Sequence, residues 1–277
     1  MRRRFLQVDV FTDRPFAGNP VAVIFDADTL TTERMQEIAR WTNLSETTFV
    51  LKPTTAEASY RLRIFTPACE MPFAGHPTLG SCLAWRAVTG ASTATRFVQE
   101  CDVGLVPISV EADGALALRV PNRGLTDVSA EVRAVLETAL QAPAIKVPAI
   151  VDVGPRWLIM ELDGAERVRK LTPDMAVLTQ LCNAQQITGV TVFGVDPAGG
   201  IETRSFAPHE GVPEDPVCGS GNGAVAYFRS RHEPVAGYVA RQGRNVGRDG
   251  FVRVTFRPDG VWIAGHAVVC VDGTIDS

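Results

Sequence analysis

Gly75-His76-Pro77-Thr78-Leu79-Gly80-Ser81-Cys82-Leu83-Ala84-Trp85 runs from a glycine turn straight into small and apolar residues. Gly219-Ser220-Gly221-Asn222-Gly223-Ala224-Val225-Ala226-Tyr227-Phe228 repeats the design in the second half of the chain. A helix apolar all round, and rich in glycine and alanine, is built to be enclosed by other elements. Each run follows a strand-like segment and a proline-containing loop. The pair predicts two similar halves, each a curved sheet around one apolar helix.

The remainder supplies the sheet. Phe5–Val10, Val21–Phe25, Tyr60–Phe65, Ala115–Val120 and Val252–Phe256 carry alternating or β-branched patterns. Asp113-Gly114, Asp163-Gly164, Asp249-Gly250 and Asp259-Gly260 read as hairpin turns. Helices are fewer: Thr32 to Trp41 ending near Asn43, one opened by Thr172-Pro173-Asp174 and running towards Cys182, and one after Ser129. The expected class is α/β (α+β), with mostly antiparallel, barrel-like sheets. A length of 277 residues fits about two domains. The turn-rich Pro121-Asn122-Arg123-Gly124 sets the expected division at 1–121 and 122–277, with the final strand free to pack back on the first half.

Bulk chemistry excludes several classes of function. A net charge of −4 offers no footprint for nucleic acid. No apolar run is long enough to span a membrane, and the arginines at 2–4 lead into an alternating segment, not a signal peptide. A cytoplasmic location is expected. The six cysteines are scattered without C-x-x-C spacing and H-E-x-x-H is absent, so no metal is expected. The phosphate-binding glycine patterns of nucleotide enzymes are absent too.

The chemistry-bearing candidates each have a plainer reading. A helix start exposes N–H groups that favour a carboxylate, which makes Gly75, Gly219 and Gly221 candidates for substrate binding, with Ser220 adding a hydroxyl. The same glycines could serve only turns and packing. Glu46, in Asn43-Leu44-Ser45-Glu46-Thr47-Thr48-Phe49-Val50, could be a partly desolvated general base or a solvated loop residue. His76 could carry protons with a pKa near neutrality, or hydrogen-bond in the interior. Asp215 could orient His76, accept from a substrate, or simply precede Pro216 in a turn. Cys218, at a helix start that lowers a thiol pKa, could act as acid or base, or pack as a small hydrophobe.

Four motifs in order resemble the phenazine-biosynthesis PhzF-like isomerase family over essentially the whole chain. They are Gln7–Thr12 with Phe16–Val23, Asn43–Val50, Arg63–Pro67 leading to Pro72–Gly80, and Glu214–Gly221. The resemblance implies the diaminopimelate-epimerase-like fold, two similar domains with the active site in the cleft between them. It implies Glu46 as general acid/base, with His76, Asp215 and Ser220 holding substrate and assisting proton relay, flanked by Gly75, Gly219 and Gly221. It also implies no metal or organic cofactor, a homodimer, and a small carboxylate-bearing substrate. Trans-2,3-dihydro-3-hydroxyanthranilate is the founding case. Cys218 departs from the pattern: phenazine enzymes often carry threonine there, and related epimerases carry one of two catalytic cysteines. The second cysteine would fall near Pro72 or Phe73, where none stands. An amino-acid racemase or epimerase using Glu46 and Cys218, and a non-catalytic small-molecule-binding protein, remain the alternatives.

Overall fold

The computed structural model describes residues 1–197, 199–208, 211–232, 234–235 and 237–277. The chain divides into two compact units, one of Met1–Arg119 with Ala264–Ser277, the other of Val120–Ile263.

The first unit contains β1 (Arg2–Val10), β2 (Asn19–Ile24), α1 (Thr32–Thr42), β3 (Glu46–Leu51), β4 (Tyr60–Phe65), β5 (Glu70–Met71) and α2 (Gly75–Thr89). β6 (Arg96–Cys101), β7 (Gly104–Val110) and β8 (Leu116–Arg119) follow. The second unit contains β9 (Gly124–Asp127), α3 (Ala130–Leu140), β10 (Ala149–Asp152), β11 (Arg156–Glu161), α4 (Ala165–Lys170), α5 (Met175–Gln185) and β12 (Gly189–Val195). It continues with β13 (Ile201–Ala207), β14 (Val212–Asp215), α6 (Gly219–His232), β15 (Tyr238–Gln242) and β16 (Gly250–Arg257). β17 (Gly260–Gly265) leads back to the first unit, where β18 (Ala267–Asp276) pairs antiparallel with β1.

The two sheets share one order. In the first unit it is β18·β1·β2·β3·β4·β6·β7, extended by β8, with β2–β3 and β4–β6 parallel. In the second it is β9·β10·β11·β12·β13·β15·β16, with β11–β12 and β13–β15 parallel. Parallel neighbours need a crossover. The first crossover of each unit carries helices that cover the outside: α1 in one, α4 and α5 in the other. The second carries the short strand β5 or β14 and then the glycine-rich helix.

That second helix is the axis of each unit. α2 lies against β1, β2, β3, β8 and β18, and α6 against β10, β11, β12 and β16. Close approach is enforced at Gly80, where a Cβ would come within 2.5 Å of Val21 and 2.9 Å of Val10. Outside the sheets, α1 buries Met35, Ile38 and Ala39 against Ile24, Phe49 and Phe65. α3 and α5 bury Leu136, Leu140, Leu178 and Leu181 against Leu158, Met160 and Val192. Central strands are therefore covered on both faces, which is why β2 is apolar without alternation.

Local expectations meet the structure with two corrections. Asn43 ends α1 in the left-handed conformation and Ser129 caps α3, as the sequence suggests. Asp113-Gly114 turns β7 into β8. Asp163-Gly164 closes no hairpin, because β11 is followed by α4 on the crossover to the parallel β12. The cap of α5 is Asp174, whose carboxylate accepts the N–H groups of Ala176 and Val177, so the helix starts past Pro173. No helix among the described residues is long and apolar enough to cross a membrane.

Candidate active site

Glu46 and His76 are brought together in the first unit. The left-handed Asn43 turns the chain out of α1 so that Glu46 opens β3, beside Val21 of the parallel β2. His76 is the second residue of α2, next to Gly75. Its Nε2 lies 3.4 Å from Glu46 Oε2, and the side chains are only 6% and 14% exposed. Nδ1 lies 3.4 Å from Asn19 Nδ2, and the ring also hydrogen-bonds the Pro20 backbone. Burial pushes the imidazole pKa down to about 3, the Pro20 bond opposing it. With that pKa His76 is neutral at physiological pH, which favours the interior hydrogen-bonding reading among those the sequence leaves open. A neutral imidazole can donate to a carboxylate or accept from a carboxylic acid, so it can serve a Glu46 that alternates between the two. Below the pair, Thr48 Oγ1 bonds Ser81 Oγ at 2.8 Å and donates to the Ala22 carbonyl at 3.1 Å.

Asp215, Cys218, Gly219, Ser220 and Gly221 gather at the start of α6 in the second unit. Asp215 ends β14, and its Oδ1 accepts the Val217 N–H at 3.0 Å. Burial raises its pKa to about 6, partly offset by hydrogen bonds from the Cys218 thiol and the Val217 amide. Cys218 Sγ accepts the Gly221 N–H at 3.2 Å and lies 3.6 Å from Ser220 Oγ. Its pKa nevertheless stands well above the thiol norm, because burial and the neighbouring Asp215 charge outweigh those donors. Of the two readings the sequence leaves open, an acidified thiol or a small buried residue, this environment favours the second.

Sequence reasoning missed three residues that shape these environments. Asn19 meets His76, and it was visible only as part of Gly18-Asn19-Pro20. Gln242 lies behind the α6 start: its Oε1 accepts from the Cys218 N–H at 3.1 Å and Asn222 Nδ2 at 2.9 Å, and its Nε2 donates to the Asp215 carbonyl at 2.9 Å. Trp157 donates its indole N–H to Ser220 Oγ at 3.0 Å. No local pattern marks either of the last two. Among the described residues, no group of three or more His, Cys, Asp or Glu side chains is placed to hold a metal.

The family model for phenazine biosynthesis-like proteins (PhzC-PhzF) matches residues 8–273. The chain belongs to this PhzF-like family. It is 41% identical to antisense-enhancing sequence 1 of Schizosaccharomyces pombe, over 97% of this chain and 97% of that protein. It is 35% identical to the trans-2,3-dihydro-3-hydroxyanthranilate isomerase of Pseudomonas aeruginosa, over 84% of this chain and 81% of that enzyme. A crystal structure of a PhzF-family protein from Enterococcus faecalis superposes with a TM-score of 0.84 at 26% identity, covering both chains completely. The α/β fold around two enclosed helices is thus the PhzF fold, and the chain is a PhzF-like isomerase.

With the fold in hand, the internal repeat of this PhzF-like chain can be read residue by residue. Arg63 on β4 makes a two-pronged bond to Glu70 on β5 and stacks over Phe65. Arg204 on β13 does the same with Glu214 on β14 and Phe206. From each glutamate the chain runs to its buried helix: Glu70-Met71-Pro72-Phe73-Ala74-Gly75-His76 in one unit, Glu214-Asp215-Pro216-Val217-Cys218-Gly219-Ser220 in the other. His76 and Ser220 correspond. Glu46, opposite Val21, corresponds to Gly189, opposite Trp157.

Proposed function

We propose that this PhzF-like isomerase moves a proton on a small carboxylate-bearing substrate by acid/base chemistry alone, trans-2,3-dihydro-3-hydroxyanthranilate being the first compound to test. The buried Glu46–His76 pair carries the reading. Glu46 removes a proton from carbon, the π electrons shift, and the proton returns at another carbon, so composition and oxidation level are unchanged. A positioned carboxylate of this kind contributes about 10²–10⁴ in rate. Neutral His76 holds the carboxyl group in place and exchanges donor for acceptor as Glu46 changes state. The N–H groups at Gly75, and those of Gly219 and Gly221 with the Ser220 hydroxyl, are the proposed donors to carboxylate and to developing negative charge. Asp215, with a pKa raised to about 6, is the further proposed proton carrier.

Support for the substrate comes from the Pseudomonas aeruginosa relative, named for that isomerisation and 35% identical. The epimerase alternative needs Cys218 as a base opposite Glu46, and a thiol pKa held well above its norm by burial weighs against that role at neutral pH. The test is proton NMR of the purified protein in deuterium oxide with trans-2,3-dihydro-3-hydroxyanthranilate and a panel of amino acids. Isomerisation with solvent deuterium entering the ring is the expected result. Exchange only at an amino-acid α-carbon would replace this reading with the epimerase one.

A further inference from the structure

We propose that Trp157 is a positioning residue for substrate carboxylate, acting by fixing the direction in which the Ser220 hydroxyl donates. This rests on the reading that Ser220 takes the carboxylate. A serine hydroxyl has one proton and can turn it towards any acceptor nearby. Here the indole N–H of Trp157 donates to Ser220 Oγ at 3.0 Å, which occupies one lone pair and turns the hydroxyl proton away from the ring. Among the described residues its other side-chain contact is Cys218 Sγ, at 3.6 Å, a long contact that an anionic ligand oxygen would outcompete. An indole nitrogen only donates, so the polarity of the arrangement cannot reverse.

The ring is held where this requires it. Trp157 is 3% exposed and sits on β11 directly opposite Gly189 of β12. A Cβ at Gly189 would come within 2.7 Å of the ring atom Cζ3 and 2.2 Å of the Phe206 carbonyl oxygen, so the indole lies over bare backbone. In the first unit the corresponding residues are the small Val21 and the long Glu46. Large and small have changed places. Where the first unit aims a carboxylate at the second residue of its buried helix, the second unit aims a fixed N–H donor.

The test uses the whole protein labelled with ¹⁵N. Four tryptophans give four indole signals, and that of Trp157 is identified by its loss in Trp157→Phe, which keeps an aromatic ring and removes the donor. Titration with 3-hydroxyanthranilate and anthranilate should shift the Trp157 indole signal, and the shift should vanish in Ser220→Ala. Affinity in Trp157→Phe should fall several-fold to about tenfold, the size expected for one hydrogen bond. In turnover, KM should rise by the same factor with kcat nearly unchanged, and Trp157→Phe should add nothing in a Ser220→Ala background. A merely structural tryptophan would weaken binding equally in both backgrounds. That outcome, or an indole signal unmoved by saturating carboxylate, would overturn the proposal. Wild-type protein that shifts the signal yet fails to isomerise the dihydro compound would count against the proposed substrate alone.

Discussion

In the first unit the second residue of the enclosed helix is His76, and it meets Glu46; in the second unit it is Ser220, and it meets Trp157. Around both points the scaffold repeats: the same strand order, the same Arg–Glu fork over a phenylalanine, the same proline and glycine before the helix. The difference lies in one exchange on adjacent strands, Val21 and Glu46 against Trp157 and Gly189. A duplicated frame thus sets a carboxylate against the second residue of one enclosed helix and an indole donor against that of the other.

The largest effect should separate the two helix starts in catalysis. Glu46→Gln keeps shape and loses the ionisable group, so kcat should fall about 10³-fold, within the range for a positioned acid/base residue. Stopped-flow or NMR turnover would measure it. A Glu46→Gln enzyme with near wild-type turnover would erase the asymmetry.

Stability against pH should separate them next, with opposite signs. Burial moves His76 from 6.5 to about 3, so in that window the unfolded chain binds the proton and stability falls as pH falls. Burial moves Asp215 from 3.8 to about 6, so there the folded chain binds the proton and stability falls as pH rises. At 1.36 kcal/mol per unit the Asp215 effect is on the order of 3 kcal/mol. Asp215→Asn should therefore gain stability over wild type as pH rises from 4 to 7, and His76→Gln should gain as pH falls from 7 to 4. Urea unfolding across pH would show it, and parallel profiles for the two variants would contradict the assigned environments.

Gly189→Ala tests whether the bare position opposite Trp157 can be filled. Its Cβ would sit 2.2 Å from a backbone oxygen, which cannot swing aside as a side chain end can. Overpacking of this kind costs about 2–3 kcal/mol, read as a lower denaturant midpoint. An unchanged midpoint would mean that Trp157 and β13 yield easily, and that the exchange of large for small is incidental.

How much of this was readable in the sequence depends on distance along the chain. The enclosed helices were legible, because glycine and alanine in an apolar run have few other uses. So were the caps at Asn43 and Ser129, which depend on neighbours within a turn. The internal repeat was legible in the two enclosed helices but not residue by residue: Arg-x-Phe, then Glu-x-Pro-x-x-Gly, are too sparse to stand out until the fold aligns them. Contacts between particular distant side chains left no trace, as with Trp157 and Ser220, 63 residues apart. Proton affinities were left open for the same reason. A sequence displays the helix start beside Cys218 but not the depth of its burial, and it names His76 without showing that the ring is buried.

Cys218 offers the smallest effect and the narrowest test. Its sulfur accepts the Gly221 N–H and gives its own proton to Asp215, so it behaves as a spacer between a helix start and a buried carboxyl group. A thiol with its pKa raised by burial and by Asp215 is almost wholly protonated near neutral pH, which makes it a poor base and a poor nucleophile. Cys218→Ala should then lower kcat by less than about tenfold and stability by about 1 kcal/mol, the scale of one lost hydrogen bond. Iodoacetamide at pH 8 should label exposed Cys69 while leaving buried Cys218 unmodified, as peptide mass spectrometry would report. A thousand-fold loss in Cys218→Ala, matching Glu46→Gln, would mean that the Cys218 thiol, and not Asp215, is the proton carrier of the second unit. The epimerase reading, with Glu46 and Cys218 as its pair, would then displace the one proposed.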